Sequence, residues 1–271
     1  MLGDIPSMGG ITADGFKIGE DESPRPLDRV FFTFNYWGNE TPAQFQKQGI
    51  GQVDFYTERV GFEKTFLDGN ASIGLRLPIN TADADAGATI PASSSTALGN
   101  LDIILKYALI NDRTTGNVLS AGVMVTAPTG PGTFAGFNPA NVPIPAYARD
   151  TLLQPYLGGI YNWSNFYLHG FSSVVLPTDA NDTYLMFNDL GVGYWLYRGS
   201  GFISSVAATG EVHINTPLTN VGHPIVDSVD LTQGLVFELR HRAWFTVGVA
   251  ENVTRPETFG IEGIAQLNFR F

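Results

Sequence analysis

The feature that most constrains this chain is a period-two alternation of apolar and polar residues, repeated in segments of about ten residues. Successive side chains of an extended strand point to opposite faces, so each segment gathers its apolar residues on one side. In the first segment, Phe32 and Phe34 share a face opposite Thr33. About ten tilted residues are enough to cross a bilayer. We predict about twelve strands, at 29–37, 56–66, 71–80, 100–110, 117–127, 152–163, 165–176, 184–198, 201–215, 229–241, 242–250 and 259–271.

The connections between these segments alternate in length. Short ones at 67–70, 111–116, 164, 199–200 and near 241 alternate with longer ones at 38–55, 81–99, 128–151, 177–183, 216–228 and 251–258. Every second connection therefore lies at the same edge of the sheet. Short turns at one end and longer loops at the other, with an even strand number, are typical of outer-membrane barrels.

The polar face contains charged residues in the middle of strands, such as Arg76, Lys106 and Glu211. Burying such charges in a dry core costs several kcal/mol each, whereas a wet lumen accommodates them. A soluble sandwich or lipocalin-like barrel would instead be apolar inside and polar outside. We therefore predict an all-β fold: a closed antiparallel transmembrane β-barrel at 29–271, with short periplasmic turns and long extracellular loops. Residues 1–28 are expected to form an irregular N-terminal arm, either periplasmic or a plug.

Composition excludes several other classes. The 271 residues include no apolar run of the ~18 residues that a spanning helix needs. Fifteen basic against 26 acidic residues give a net charge of −11, so no nucleic-acid partner is expected. The absence of Cys removes disulfides, thiolate metal sites and Cys nucleophiles. No phosphate loop or metal-ligand spacing is present, and we expect no cofactor and no metal site.

The C-terminal segment predicts where the barrel is inserted. Leu267, Phe269 and Phe271 alternate up to the last residue, which resembles the signal by which outer-membrane barrels are recognised for insertion. The expected location is the outer membrane of a Gram-negative bacterium. The expected partners there are outer-membrane lipid or lipopolysaccharide and the barrel-assembly machinery.

Several short phrases occur in an order that resembles a known family. They are GNLD at 99–102 followed by Lys106-Tyr107, GVMVTAPTG at 122–130, EVH at 211–213 and LNF at 267–269. Together they resemble the putative outer-membrane transporter family of the MetA pathway of phenol degradation, from about residue 29 to the end. The resemblance implies a bacterial β-barrel that passes small, often hydrophobic, molecules.

A barrel of about twelve strands lies between those filled by side chains and those with a wide channel, so we predict a narrow lumen. Trp37, Trp195 and Trp244, at the rims or inward, are candidates for narrowing it. The predicted lumen-lining residues carry both signs of charge and would select solutes by size and dipole. The alternative is an ion-pair ladder that only fills and rigidifies the interior. The set is Arg59, Glu63, Arg76, Asp102, Lys106, Glu211, His213, Glu238, Arg240 and Arg270.

Some outer-membrane barrels are lipid hydrolases, and such an enzyme needs a Ser nucleophile close to a His. His169 with Ser172 or Ser173 is the closest Ser/His group in the sequence. It has neither a strained nucleophile turn nor a defined third partner, so we predict no enzymatic activity and no catalytic residue.

Two functions remain open. The first is a porin-like channel through which small, hydrophobic or aromatic solutes diffuse passively. The second is a non-conducting structural barrel whose loops or N-terminal arm bind a partner protein. The Pro-rich connection 128–151 could fold into the pore, cover its mouth or bind another protein. An even strand count returns both termini to the short-turn side, where the arm would plug the lumen or dock on a partner.

Overall fold

The computed structural model describes residues 23–39, 51–88, 91–130, 151–178, 184–219, 227–255 and 257–271, and the backbone alone of 133–137 and 143–146. The predicted arm therefore lies outside the described residues up to residue 22. Among the described residues, no helix is long and apolar enough to cross a membrane.

The described residues form fifteen strands, numbered in chain order. The first eight are β1 (Arg29–Gly38), β2 (Val53–Phe66), β3 (Ala71–Ala84), β4 (Ser93–Leu98), β5 (Leu101–Asn111), β6 (Val118–Ala127), β7 (Thr133–Phe137) and β8 (Pro143–Ala146). The remaining seven are β9 (Leu152–Trp163), β10 (Phe166–Pro177), β11 (Leu185–Arg198), β12 (Ile203–Pro217), β13 (Ser228–Leu239), β14 (Ala243–Asn252) and β15 (Ile261–Arg270).

Twelve of these strands close into a barrel. Each pairs antiparallel with its neighbours, in the order β1, β2, β3, β5, β6, β9 and then β10 to β15. The first and last strands close it, with Arg29 opposite Arg270 and Gly38 opposite Ile261. The sequence analysis missed β4. This strand pairs with residues 79–84 of β3, while β5 pairs with residues 71–76 of the same strand. β7 and β8 form a separate hairpin within the connection 128–151.

The predicted alternation of connections is confirmed. The turns at 67–70, 112–117, 164–165, 199–202 and 240–242 lie at one end of the barrel, here called the short-turn end. The longer connections lie at the opposite, long-loop end. Leu67 and Asp68 adopt left-handed backbone angles before Gly69, which has a φ of 77°. This geometry suits a tight turn between twisted strands.

The predicted inside-out arrangement is also confirmed. Phe32, Leu105 and Phe269 are 43%, 44% and 47% exposed on the outer wall. Arg76 and Lys106, at 2% and 4%, point into the barrel. An exterior of this kind is stable in contact with lipid, and the fold is a transmembrane β-barrel.

The interior contains more apolar packing than the charge pattern predicts. One cluster of buried side chains consists of Ile104, Met124, Tyr156 and Phe171. A second joins Trp37, Phe55 and Phe259 near the long-loop end. A third joins Val175, Leu185 and Phe187. Apart from Phe259, which belongs to the connection before β15, these residues lie on the inward face of their strands, and they narrow the lumen that the polar residues line.

Inward glycines explain how aromatic side chains fit inside a narrow barrel. Phe31 pairs with Gly61 on β2, and a Cβ at Gly61 would lie 2.0 Å from the Phe31 ring. Tyr156 lies in the same way over Gly122, its partner on β6. Phe171 lies over Gly158 of β9. Each ring covers a neighbouring position that has no side chain, so the rings lie along the wall.

Candidate functional site in the lumen

Glu63 is the centre of a buried ion-pair cluster near the short-turn end. One of its oxygens lies 2.7 Å from Arg29 Nε, and the other lies 3.1 Å from Lys106 Nζ. The Ser72 hydroxyl donates to the same carboxylate at 2.6 Å. All of these side chains are buried. The two cations share one carboxylate, so each buried cation has an anionic partner inside the wall.

A second set of ionic contacts lies on the wall formed by β3, β5 and β6. Arg76 Nε is 2.8 Å from Asp102 Oδ2, and the Thr126 hydroxyl donates to Asp102 Oδ1 at 2.6 Å. Asp102 and Lys106 share one strand face, yet they pair with cations and anions of different strands. The inward charges therefore form cross-strand contacts around the wall.

Arg59 belongs to a hydrogen-bonded chain that crosses the closure of the barrel. The Arg59 Nη1 atom donates a hydrogen bond of 2.9 Å to Asn35 Oδ1. Asn35 Nδ2 in turn donates to Glu262 Oε1 at 2.8 Å. Sequence reasoning did not select Asn35 or Glu262 as site residues, although both lie on the polar face of their alternating segments.

A histidine–carboxylate cluster lies on the opposite wall, on β10 to β13. His213 Nδ1 is 2.7 Å from Asp189 Oδ1, and His213 Nε2 is 2.9 Å from the Thr232 hydroxyl and 3.3 Å from Glu211 Oε2. His169 Nε2 lies 3.7 Å from Glu211 Oε1, which is beyond hydrogen-bonding distance. Sequence reasoning selected Glu211 and His213 but missed Asp189 and the lumenal role of His169.

A glycine brings His169 and Glu211 together. His169 pairs with Gly191 on β11, and Gly191 pairs with Glu211 on β12. A Cβ at Gly191 would lie 1.9 Å from His169 Nε2 and 2.8 Å from Glu211 Cγ. Side chains two strands apart therefore meet across a position that has no side chain of its own.

Residues 23–28 run inside the barrel at the short-turn end, and we call them the lumenal segment. Lys106 Nζ donates to the Ser23 carbonyl at 2.6 Å, and the Ser120 hydroxyl donates to the Pro24 carbonyl at 2.6 Å. The Leu27 amide donates to Glu63 at 3.2 Å. The segment is thus bonded to three strands of the wall.

Arg25 fixes the segment to the turn between β5 and β6. Its guanidinium donates to the Asn111 side chain and, at 3.3 Å, to the Asn117 carbonyl. Asp28 fixes the other end of the segment, accepting hydrogen bonds of 2.7 Å from Lys64 Nζ and from the Thr65 amide and hydroxyl.

A cavity of about 250 Å³ lies between the lumenal segment and the wall formed by β9 to β15 and β1. Ser23, Pro24 and Leu27 border it on one side. Its polar lining includes His169, Thr209, Glu211, Thr232, Arg29 and Arg270, and its apolar lining includes Ile160, Tyr167, Val236, Trp244 and Ile264. The paired positions Gly234 and Gly248 leave part of this wall without side chains.

Three predicted residues lie near the short-turn rim. Glu238 accepts a hydrogen bond of 2.9 Å from Ser205, on the inward face. Arg270 borders the cavity, and its guanidinium lies 4.2 Å from the centroid of the Trp244 ring. Arg240 corrects the prediction: β13 ends at Leu239, and Arg240 lies exposed in the following turn, over the Phe202 ring. The turn rotates Arg240 off the face it was expected to share with Glu238.

The three tryptophans that were predicted to narrow the lumen, Trp37, Trp195 and Trp244, are all at inward positions. Trp37 is buried in the cluster near the long-loop end. Trp195 lies beside Tyr167, with ring centroids 5.6 Å apart. Trp244 borders the cavity.

The Ser/His group does not form a nucleophile–base pair. Ser173 accepts a hydrogen bond of 3.0 Å from Gln154, and the Ser172 hydroxyl donates to Asn188 at 2.8 Å. The His169 ring instead meets the Tyr167 ring edge-on. Within the described ranges, no group of three or more His, Asp or Glu residues is arranged to hold a metal ion.

Several solved structures share this fold. The COG4313 outer membrane channel from Pseudomonas putida F1 aligns with a TM-score of 0.61 and 11% identity over 91% of this chain and 96% of that one. The β domain of the Bordetella autotransporter BrkA aligns at 0.55 and 11% identity, over 90% and 100%. The KdgM porin in complex with oligogalacturonate aligns at 0.50 and 9% identity, over 89% and 99%.

No protein-family model and no curated protein matches this sequence. The resemblance to the MetA-pathway family therefore stays a prediction. The structural matches show the fold of a bacterial outer-membrane β-barrel. In that fold the short-turn end is periplasmic and the long-loop end is extracellular.

Proposed function

We propose that the protein is an outer-membrane channel for small solutes, and that residues 23–28 close it from the periplasmic end. The observation that supports this most is the cavity of about 250 Å³ inside the barrel, bounded on one side by the lumenal segment. A cavity between a fixed wall and a tethered segment becomes continuous with the periplasm when the segment moves away.

The contacts of the lumenal segment suit a removable plug. Its bonds to the wall include those of the Arg25 guanidinium and that of the buried Ser120 hydroxyl on β6; a neutral bond contributes about 0.5–1.5 kcal/mol net, and one to a charged group about 1.5–3 kcal/mol. These bonds are separate from the backbone hydrogen bonds between the barrel strands, so the segment can leave and return while the strands stay paired.

The mixed charges of the wall favour solutes of modest polarity. Arg29 and Lys106 share the carboxylate of Glu63, and Arg76 pairs with Asp102, so each cation has an anionic partner and the five groups carry an excess of one positive charge rather than a row of one sign. The apolar clusters that share the lumen limit its width. We propose passive diffusion of small, weakly polar or aromatic molecules, as the sequence resemblance implies.

Single-channel recording in planar bilayers tests this proposal. The release variant Arg25→Ala/Ser120→Ala removes contacts of the segment and leaves the Glu63 cluster intact. We expect stepwise currents that are larger or more frequent in the release variant than in the parent. A matched control, Arg113→Ala, changes an exposed arginine of the same turn, which bonds only the Asp68 carbonyl among the described residues.

Silence of the parent and the release variant, with both correctly folded, would favour the non-conducting interaction barrel. In that case residues 23–28 would be a fixed part of the interior, and the loops or the N-terminal arm would remain as the candidate binding elements.

A further inference from the structure

Glu211 and His169 border the cavity with buried polar atoms that have no hydrogen-bond partner. The side chain of Glu211 is 1% exposed and that of His169 is 3% exposed. Within the described part of the chain, neither Glu211 Oε2 nor His169 Nε2 makes a hydrogen bond, and Glu211 Oε2 has only the ionic contact with His213 Nε2 at 3.3 Å. Buried polar atoms are almost always satisfied, so an unsatisfied pair facing a cavity points to a missing partner.

The cluster around these atoms has an excess of negative charge. It contains the carboxylates of Glu211 and Asp189, while His213 contacts both of them. One imidazole shared by two carboxylates can offset at most one of them, so the Glu211–His213–Asp189 group keeps a negative charge. Two cations border the same cavity: Arg29, which pairs with Glu63, and Arg270, whose guanidinium lies over the Trp244 ring near the short-turn rim.

The rest of the cavity is apolar and aromatic. Ile160, Tyr167 and Val236 border it beside Glu211, and the Tyr167 ring lies against His169. An aromatic face next to a carboxylate is a favourable place for an ammonium group on an apolar body. A volume of about 250 Å³ has room for a molecule with a single aromatic ring.

We propose that this cavity binds a small organic cation, an amine with an apolar or aromatic body, whose ammonium group donates to Glu211. The proposal rests on the proposed function in that it names the substrate class of the same lumen. The Gly191 position makes the site possible, because it lets His169 and Glu211 border one space.

Isothermal titration calorimetry of the full chain in detergent at pH 8 tests the proposal with three probes of similar shape. They are benzylamine, benzyl alcohol and benzoate. We expect saturable binding of benzylamine, and binding roughly ten- to hundredfold weaker for the neutral and the anionic probe. Equal affinity for benzyl alcohol, or no saturable binding of benzylamine, would overturn the proposal.

Two pairs of variants locate the site. Glu211→Gln is expected to weaken benzylamine binding roughly ten- to hundredfold, whereas Glu238→Gln, outside the cavity lining, should bind like the parent. Thr246→Phe fills the cavity from β14 and should abolish binding without touching Glu211, while Val249→Phe on the outer face of the same strand should not. Unchanged binding in Glu211→Gln and in Thr246→Phe would place the amine elsewhere.

The channel proposal is measured separately. A closed barrel can still bind the amine, so loss of binding in Glu211→Gln with unchanged currents in the release variant concerns the solute class alone. Conversely, a silent release variant that binds benzylamine contradicts the channel and leaves the amine site standing.

Discussion

At the scale of single residues, Asp28 ties the lumenal segment to the outer end of β2. Hydrogen bonds from the Lys64 ammonium and from the Thr65 hydroxyl and amide lower the pKa of the Asp28 carboxyl to about 2. An unperturbed aspartate has a pKa of about 3.9. Because the folded value is the lower one, this contact stabilises the fold above pH ~4, and its contribution is lost as the pH falls through about 2.

We therefore predict that Asp28→Asn reduces the acid sensitivity of the barrel. The parent should lose more stability than the variant when the urea unfolding midpoint in detergent is compared at pH 6 and pH 2.5. Asp68→Asn, in the exposed turn after β2, is the control and should behave like the parent. An equal acid-induced loss in the parent and in Asp28→Asn would show that the contact does not form.

Gly191, which lies between His169 and Glu211, provides a second test at this scale. In Gly191→Ala the new methyl would overlap His169 and Glu211, which are both buried, so the two side chains must move. Overpacking of this kind costs about 1–3 kcal/mol. Urea unfolding should show this loss. Gly210→Ala, where the nearest atom to the new Cβ is the Thr232 carbonyl at 3.9 Å, should be neutral or slightly more stable.

At the scale of the strand, Glu63 on β2 joins three elements. It receives hydrogen bonds from Arg29 on β1 and Lys106 on β5, and from the Leu27 amide of the lumenal segment. Breaking a buried ion pair by removing one partner costs about 3–5 kcal/mol, because the remaining charge is left buried.

We predict that Glu63→Gln lowers the free energy of unfolding by an amount of that order. Glu257→Gln, in the long connection between β14 and β15, removes an exposed ion pair with Arg255 and is expected to change it by less than about 1 kcal/mol. Tryptophan fluorescence during urea unfolding measures both. A loss in Glu63→Gln no larger than that of the control would mean that the cluster does not stabilise the barrel.

The strands are also where the sequence predicts most. Alternation fixes which side chains share a face, and mid-strand charges such as Arg76 decide which face is inside; both hold in the structure. Contacts between strands depend on register, which alternation alone does not specify. His169 meets Glu211 only because Gly191 lies between them. The sequences of β10, β11 and β12, taken one at a time, do not predict that alignment.

The ends of strands were less predictable than their centres. Arg240 follows the alternation of β13 but belongs to the turn, since its backbone is left-handed with a φ of 49°. β4 is a short polar strand without alternation. It forms because β3 continues past the residues that pair with β5 and offers a free edge there. At both places the residue types alone do not specify the backbone conformation, and hydrogen bonding with the neighbouring strand decides it.

At the scale of the whole molecule, the account combines an apolar outer wall, a mixed lumen and a segment that closes it. The chain has no Cys, so a single introduced cysteine is a unique reporter. Thr246 is inward and borders the cavity, and Val249 on the same strand is 49% exposed on the outer wall.

The most direct test is single-channel current through the release variant containing Thr246→Cys, before and after a charged, membrane-impermeant thiol reagent is added. We predict stepwise currents that the reagent reduces, and no reduction when the cysteine is placed at position 249 by Val249→Cys. Absence of current from the folded release variant, or equal block at the two positions, would contradict a permeation path through this lumen.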